Sequence, residues 1–413
     1  MASDEGSARR TRVEDVAVFG PPDEASVRQI LTCRRGPNAV AAALMADHHK
    51  GYSQPIGGVV VYQDAVSPSG VGYDIGCGNK AVLTDLPARE VKRDIRKIMD
   101  RIWQDLEFGV GRTRSQPADH ELFDDPAWKD VKGLQGLLRM AREQLGTVGS
   151  GNHYVDLFED EQGRIWIGVH FGSRGFGHRT ASGFLNLAKG RNFGDPPREA
   201  GMDAPPTVFP LASALGQDYL VAMKLAGRYA YAGRDQVCAD VLRMMGAKAV
   251  EEVHNHHNFA WEEEHGGRKV IVVRKGATPA FPGQKGFVGG SMGDISVILE
   301  GVDSPASRDA YYSTVHGAGR VMSRTEAAGK KRWGRRGRGP ERKGGKISRE
   351  MMLKWVHEAG VELRGAGTDE SPHCYKRLPE VLRDQGETIR ILHTLKPLGV
   401  AMAGEDIEDP YMD

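Results

Sequence analysis

Apolar positions along the chain follow two different periods, and this alternation predicts both strands and helices. Short runs of β-branched and other apolar residues predict buried strands at 59–62, 270–273 and 295–299. By contrast, apolar side chains recur at helical spacing over residues 88–108, which predicts an amphipathic helix. Each of these elements has an apolar surface that must be buried against another element of a folded domain.

Further patterns complete the set of predicted elements. Residues 154–158 and 165–170 predict the two strands of a hairpin. Short helices are predicted at 24–31 and in the alanine-rich stretch 38–45, and a long helical pattern covers 213–263. Because strands and helices follow one another irregularly rather than in strict alternation, we expect an α+β fold with a β-sheet core and flanking helices.

Composition narrows the class of protein. The chain has 413 residues, of which 39% are hydrophobic, and this is enough for a substantial core. Its 56 Lys and Arg nearly balance its 55 Asp and Glu, so any nucleic-acid surface has to be local. The polar N-terminus has no apolar signal segment, and no apolar run approaches the ~20 residues of a membrane span.

The cysteines favour a reducing compartment. Four of them, Cys33, Cys77, Cys238 and Cys374, are widely spaced, and no two have the spacing of a zinc finger. This distribution argues against a disulfide scaffold. Together with the absence of a signal segment or membrane span, it predicts a cytoplasmic protein.

Charge and glycine content divide the chain into segments. Residues 1–15 predict a flexible N-terminus, 16–404 a single domain, and 405–413 an acidic tail. Within the domain, residues 329–346 hold nine Lys or Arg, one Glu and Trp333, and they predict a flexible basic loop. Most charge runs are simply solvated, but cations with an aromatic residue also suit phosphates and bases, and we favour nucleic acid here.

A glycine-rich turn carries the residues with the most distinctive chemistry. Asp74 and Cys77 lie three residues apart among glycines, so a hard oxygen and a soft thiolate are offered together. His153, His170 and His257 lie in polar, Gly-rich or His-rich segments. Alone, the turn is equally consistent with a buried cysteine. With the histidines it indicates a shared site for a borderline divalent metal such as Mn, Zn, Co or Fe.

A second constellation surrounds His316. Gly317 and Gly319 allow a phosphate to approach the backbone, and Arg320 can bind it with its guanidinium fork. The pattern also fits a histidine that caps a turn beside a surface arginine. The loop at 149–152 similarly suggests phosphate binding, although Gly-Ser loops are often only turns.

Taken in order, these segments resemble the RtcB family of RNA-splicing ligases over roughly residues 35 to 402. The matching segments are 47–52, 55–58, 70–78, 149–153, 170–175, 257–258, 274–277, 290–293, 316–324, 369–372 and 375–376. An ordered series of this length is highly specific. It implies a single RtcB-like domain with a metal and nucleotide cleft in its β-sheet core.

The resemblance implies an RNA ligase that works in RNA repair or tRNA splicing. Such an enzyme seals a 2′,3′-cyclic phosphate or 3′-phosphate RNA end to a 5′-hydroxyl end, using GTP and two Mn²⁺ ions. A covalent histidine-GMP intermediate carries the nucleotide. An archease-type activator protein is a further partner that the resemblance suggests.

The resemblance also implies roles for individual residues. The metal ligands would be Asp74, Cys77, His153, His170 and His257, with Cys77 bridging. His316 would take GMP, and Arg174 and Arg320 would hold phosphates. The nucleotide would be lined by Asn152, Asp156 (a Glu in the usual pattern), Ser291, Gly317, Ala318, Gly319 and Tyr375.

Three departures mark a divergent member of the family. The usual final Lys-Gly is replaced by the segment 400–404, Phe171 replaces a small polar residue, and the basic loop is an addition. Two alternatives therefore stay open. One is a metal-dependent phosphodiesterase that opens cyclic phosphates without ligation, and the other is an RNA-binding paralogue without guanylylation.

Overall fold

The computed structural model describes residues 10–197, 201–332 and 341–405, and these contain helices and strands in mixed order. The strands are β1 (Arg10–Val13), β2 (Val16–Phe19), β3 (Ala39–His49), β4 (Ile56–Tyr62), β5 (Ala65–Val66), β6 (Gly78–Pro87), β7 (Tyr154–Asp160), β8 (Arg164–Phe171), β9 (Phe209–Pro210), β10 (Ala249–His256), β11 (Asn258–His265), β12 (Arg268–Lys275), β13 (Ala277–Pro279), β14 (Lys285–Val288), β15 (Ser296–Gly301), β16 (Ser313–Val315), β17 (Gly329–Arg332), β18 (Glu341–Gly344), β19 (Glu362–Ala366) and β20 (Ile389–Gly404). The α-helices are α1 (Glu24–Arg34), α2 (Pro68–Val71), α3 (Ala88–Asp105), α4 (Ala127–Asp130), α5 (Leu138–Gln144), α6 (Arg174–Ala188), α7 (Ala214–Met245), α8 (Pro305–Asp309), α9 (Arg324–Ala328), α10 (Arg349–Glu358) and α11 (Leu378–Gln385). Short 3-10 helices cover Glu121–Asp124, Gln135–Leu137, Thr368–Glu370, Pro372–Cys374 and Gly386–Thr388.

A six-stranded sheet forms one half of the core, in the order β1-β2-β3-β4-β12-β11. One face, which includes Val60 and Val273, packs against helices α1, α6 and α7. The opposite face, which includes Val59 and Val272, packs against β15, β16 and α11. Because both faces are covered, the central strands are continuous apolar runs, which is why β4 and β12 were readable from the sequence.

An eight-stranded sheet forms the other half and curls until it is nearly a closed barrel. Its order is β10-β6-β8-β7-β20-β15-β14, with β19 paired to β20. The two ends meet through amide side chains: Asn79 Nδ2 donates to the Phe287 carbonyl at 2.8 Å, and the Phe287 amide donates to Asn255 Oδ1 at 3.0 Å. Phe158 and Trp166 fill the interior with Phe287, while α3 and α7 cover the outside.

The α+β prediction is confirmed, with sheets at the core and helices around them. The predicted hairpin is also confirmed, because β7 and β8 pair antiparallel with Tyr154 opposite His170. Among the described residues, no helix combines the length and apolar character needed to cross a membrane.

The helix predicted at 38–45 is wrong, because this stretch is the start of β3. Alanine favours a helix in isolation. Here, however, β3 is enclosed between β2 and β4, with Ala43 paired to Ala17 on one side and Val59 on the other. Leu44 and Ala43 are buried in the clusters on opposite faces of the sheet, and this tertiary packing outweighs the local propensity.

The long helix predicted over 213–263 is correct only in its first part. Helix α7 ends at Met245, where Gly246 takes a left-handed conformation with φ 67° and caps the helix. The rest forms β10 and β11, so the histidines at 254, 256 and 257 belong to strands and the turn between them. Gly246 was the sequence signal for this boundary.

Two segments that the sequence predicts to be flexible contain strands where the structure describes them. Within the N-terminal segment 1–15, strand β1 pairs with β2; residues 1–9 lie outside the described residues. Within the basic segment 329–346, β17 and β18 pair as a hairpin, and residues 333–340 lie outside the described ones. Of the predicted acidic tail, only Glu405 is described.

Candidate metal centre and adjoining histidine

A cleft of about 1280 Å³ opens where strand ends from both large sheets meet. All but one of the predicted site residues line it, although they come from distant parts of the chain. They are Asp74, Cys77, Asn152, His153, Asp156, His170, His257, Ser291, His316, Gly317, Ala318, Gly319, Arg320 and Tyr375. The exception is Arg174, which is described below.

The Asp74/Cys77 turn connects α2 to β6 at the floor of the cleft. Gly72 (φ 90°) and Gly76 (φ 70°) adopt conformations that disfavour other residues. The Cys77 amide donates to the Asp74 carbonyl at 3.1 Å, which closes the turn. Gly172 faces it so closely that a Cβ atom there would lie 2.0 Å from Asp74 Oδ1. Gly172, which follows β8, therefore makes room for the carboxylate, whereas Gly72 and Gly76 allow the backbone of the turn itself.

The three predicted histidines converge on this turn. Cys77 Sγ lies 3.3 Å from His170 Nε2 and 3.8 Å from His153 Nε2. His153 Nε2 lies 3.1 Å from Asp74 Oδ2. The third histidine, His257, is held through its backbone, because its amide donates to the Cys77 carbonyl at 2.8 Å.

These side chains form two overlapping groups that share Cys77. Asp74, Cys77 and His153 form one, and Cys77, His170 and His257 form the other. In each group, the candidate ligand atoms all lie within 4.8 Å of one another. The donor set fits borderline divalent metals. His257 Nδ1 is also buried without a hydrogen-bond partner among the described residues, as expected for an atom that needs another ligand.

Electrostatics favours a bound cation at this cluster. Burial lowers the pKa of His170 and of His257, so both imidazoles stay neutral and keep a lone pair for a metal. Burial and the neighbouring Asp74 raise the pKa of the Cys77 thiol. Burial would also raise the pKa of Asp74, but the interactions with His153, Cys77 and Arg174 together outweigh burial and lower this pKa to about 2. Thus a carboxylate is already ionised, and a cation would favour the thiolate.

His316 lies beside the cluster, but its ring nitrogen contacts a different kind of partner. Its ring centroid is 4.9 Å from that of His257. His316 Nδ1 lies 2.6 Å from Oδ2 of Asp47, and this oxygen also accepts the backbone amides of His316 and Gly317 at 2.9 and 3.2 Å. Burial would raise the pKa of Asp47, but His316 outweighs burial and lowers it. An ionised Asp47 can accept a hydrogen bond from Nδ1–H, and the neutral tautomer that fits this contact carries its lone pair on Nε2.

Asp47 is the candidate functional residue that the sequence reasoning missed. It lies in the matching segment 47–52, but no role was assigned to it. Its side chain is fully buried, and Oδ1 has no hydrogen-bond partner among the described residues. An acidic residue that precedes two histidines was the available signal, but 269 positions separate it from its partner.

The two predicted phosphate-binding arginines have different surroundings. Arg320 lines the cleft, where it donates to the Tyr375 hydroxyl at 2.9 Å and its guanidinium lies 5.0 Å from the Tyr375 ring centroid. Arg174 lies behind His153, with φ 55° and hydrogen bonds to the Thr147 hydroxyl and the Gly109 carbonyl. The structure thus brings Arg320 to the cleft wall and places Arg174 behind it.

Another part of the cleft wall combines buried polar groups with apolar side chains. Asp156 Oδ1 and the Tyr154 hydroxyl are buried without hydrogen-bond partners among the described residues. Burial raises the pKa of Asp156. Val400 and Met402 of β20 line the cleft as well, within the segment that replaces the family's Lys-Gly.

Comparisons with known proteins point to one family. A family model described as tRNA-splicing ligase RtcB matches residues 29–135 and 128–403. The RNA-splicing ligase RtcB of Escherichia coli K12 is 30% identical, covering 91% of this chain and 94% of the relative. The tRNA-splicing ligases RtcB of Thermococcus kodakarensis and Archaeoglobus fulgidus are 30% and 31% identical, covering 87% and 88% of this chain and 86% and 87% of the relatives.

Proposed function

Since the chain belongs to the RtcB family, we propose that it is an RNA ligase. In this proposal it joins a 2′,3′-cyclic phosphate or 3′-phosphate RNA end to a 5′-hydroxyl end, with GTP as co-substrate. Residues 16–404 act as one ligase domain. A nucleophile with a free lone pair beside a divalent-metal cluster is the arrangement that such phosphoryl transfer requires.

The five clustered residues would hold two Mn²⁺ ions. Asp74, Cys77 and His153 would bind one, and Cys77, His170 and His257 the other, with the thiolate shared. When bound, the ions would supply positive charge that neutralises phosphate oxygens and stabilises the transition state of phosphoryl transfer.

His316 is the proposed nucleophile. Nε2 attacks the α-phosphate of GTP, so an N–P bond forms while the bond to the leaving pyrophosphate breaks. Asp47 keeps the Nδ1 proton in place and compensates the positive charge that develops on the ring. The amides of His316 and Gly317 hold Asp47 in turn, so the imidazole is oriented before GTP arrives.

Two further transfers complete the proposed reaction. An oxygen of the RNA 3′-phosphate, after water has opened any cyclic phosphate, attacks the phosphorus and releases His316. The 5′-hydroxyl then attacks the activated RNA phosphate, and GMP leaves. Each step exchanges one bond to phosphorus for another, and the hydroxyl proton is lost in the last.

The remaining cleft residues would bind and orient the substrates. Arg320 and Arg174 would stabilise phosphate charge, Arg320 from the wall and Arg174 from behind His153. The nucleotide would contact Asn152, Asp156, Ser291, Gly317, Ala318, Gly319 and Tyr375, which all line the cleft. The basic hairpin of β17 and β18 is the proposed contact for the RNA backbone.

We also propose a cytoplasmic setting in RNA repair or tRNA splicing, with an archease-type protein as activator. The four cysteines are all buried and unpaired, which agrees with a reducing compartment. The tRNA-splicing names of the relatives support the choice of pathway.

The His316–Asp47 pair beside the cluster carries the proposal, and it can be tested directly. The protein is incubated with Mn²⁺ and GTP labelled at the α-phosphate, and covalent label is measured after denaturation. We expect label on the native protein and none on His316→Ala. His265→Ala is the matched control, because His265 also contacts a carboxylate, at 2.7 Å, but is not among the cleft-lining residues; it should keep the label.

Other outcomes identify the alternatives. Native protein that takes no label but hydrolyses cyclic phosphates would be a phosphodiesterase. Native protein that does neither, yet binds RNA in a salt-sensitive way, would be a binding protein. Label that persists on His316→Ala would exclude His316 as the nucleophile.

A further inference from the structure

Arg234, on helix α7, is a buried charge that the proposed reaction does not use. It is fully buried, as is Arg274 among the described residues. Arg274 forms an ion pair with Glu263. Arg234 has no carboxylate within ion-pair distance among the described residues, although burying an unpaired charge is costly. Its surroundings therefore need another explanation.

The guanidinium of Arg234 contacts three separate segments. Nη1 donates to the carbonyls of Gly76 and Phe171 at 3.0 and 2.5 Å. Nε donates to His254 Nε2 at 2.8 Å, and Nη2 lies 3.0 Å from His256 Nδ1. The planar fork of arginine allows one side chain to reach all of these atoms.

Each contacted segment carries a candidate metal ligand next to the contact. Gly76 precedes Cys77, Phe171 follows His170, and His256 precedes His257. His256 Nδ1 also lies 2.9 Å from the Gly76 carbonyl, so two of the segments contact each other as well. A single guanidinium thus connects the turn, the end of β8 and the end of β10.

The surroundings also suit a positive charge at this position. The Tyr231 ring lies 5.2 Å from the guanidinium carbon, in cation-π geometry. On the cleft side, Asp74 and Cys77 would be anionic with metal bound. Burial and Arg234 lower the pKa of His254, so this histidine is neutral and its Nε2 can accept the hydrogen bond from the Arg234 Nε–H.

We infer that Arg234 is a positioning residue of the metal centre, which holds the three ligand-bearing segments at their required separation. The inference rests on the proposed metal centre. Metal coordination tolerates only about 0.2 Å of error in ligand distances, so loss of this connection should weaken binding directly. Partners outside the ligand set typically contribute about 10- to 100-fold in metal affinity.

The test is a Co²⁺ titration of metal-free protein. Binding is monitored through the thiolate-to-cobalt charge-transfer absorption. We expect Arg234→Met to weaken Co²⁺ binding by about 10- to 100-fold and to reduce this absorption. Arg234→Lys keeps the charge but has no fork, so it should recover only part of the affinity. Arg274→Met and Arg274→Lys are matched controls, because they alter an equally buried arginine and should leave Co²⁺ affinity unchanged.

Thermal unfolding of the metal-free proteins separates positioning from general stability. If a Met variant does not fold, the comparison between Arg234→Lys and Arg274→Lys decides the question. Equal Co²⁺ affinity in native protein and the folded Arg234 variants would overturn the inference, as would an equal loss in the Arg274 variants. Native protein that binds no Co²⁺ would instead refute the metal centre and the proposed function with it.

Discussion

The cleft contains a candidate metal-binding cluster with three histidines and, beside it, the single His316, and these histidines differ in what their ring nitrogens contact. In the cluster, His153 and His170 face Asp74 and Cys77, and His257 Nδ1 is buried without a partner among the described residues. In the adjoining pair, Nδ1 of His316 contacts a buried carboxylate instead. The His257 and His316 rings are only 4.9 Å apart, yet they occupy different chemical settings.

This difference shows that the partner of one nitrogen determines the chemistry of the other. A neutral imidazole without a proton-accepting partner can take either tautomer and adapt to a metal. An imidazole whose Nδ1 proton is held by an aspartate presents its Nε2 lone pair in a fixed direction. Metal binding and nucleophilic attack should therefore respond to different substitutions.

The largest expected effect comes from Cys77→Ser, which breaks the cluster. The hydroxyl is a poor substitute for a shared thiolate, so both metal groups lose a ligand. We expect Mn²⁺ affinity to fall by more than about 100-fold, the upper loss that even an outer partner causes, and covalent labelling to be abolished. Metal content is measured by atomic emission, with Cys238→Ser, another buried cysteine, as control. Full activity in Cys77→Ser would rule out a bridging role.

A smaller effect is expected from Asp47→Asn, which changes the pair and leaves the cluster intact. The amide keeps the size of the side chain but removes the charge that stabilises the modified imidazole. We expect the single-turnover rate of labelling to fall by about 10²- to 10⁴-fold, within the usual contribution of proton-handling groups. Co²⁺ affinity should stay at the native value. If Asp47→Asn loses metal as severely as Cys77→Ser does, the metal cluster and the His316–Asp47 pair are not independent.

The smallest effect is expected from the basic hairpin, which belongs to neither region. Lys330 and Lys343 are exposed and paired in register on β17 and β18. Replacing both with Gln should weaken RNA binding and reduce the slope of log affinity against log salt by about 0.7 per lost phosphate contact. Labelling with GTP should be unchanged. Lys97→Gln on α3 is the control, and an unchanged slope in the double variant would exclude the hairpin as an RNA contact.

Much of the cluster could be predicted from sequence because its residues lie in short, locally encoded motifs. Glycines at 72 and 76 allow the positive-φ backbone of the turn that carries Asp74 and Cys77. The hairpin of β7 and β8 was readable from apolar runs, and its register brings His170 opposite Tyr154, next to His153. Residue type and local backbone requirements were sufficient in these cases.

Other features depended on contacts that no local pattern contains. The alanine-rich stretch 38–45 forms a strand because β2 and β4 pair with its two edges and separate core clusters bury its two faces. The proposed role of Asp47 depends on a histidine 269 positions away. The proposed role of Arg234 depends on three segments that meet only in the fold. Nothing in the local sequence distinguishes these side chains. Their hydrogen-bond partners are defined only in the fold, where burial removes water as an alternative partner.

By itself, therefore, the sequence determined the fold class, the set of candidate ligands and the histidine beside them, because chemical type and local geometry are properties of short segments. The tertiary structure alone decided which nitrogen of His316 is free, which arginine faces the cleft and which lies behind it. Those choices depend on distances between remote segments, and a buried polar group takes whatever partner the completed core places within hydrogen-bonding range.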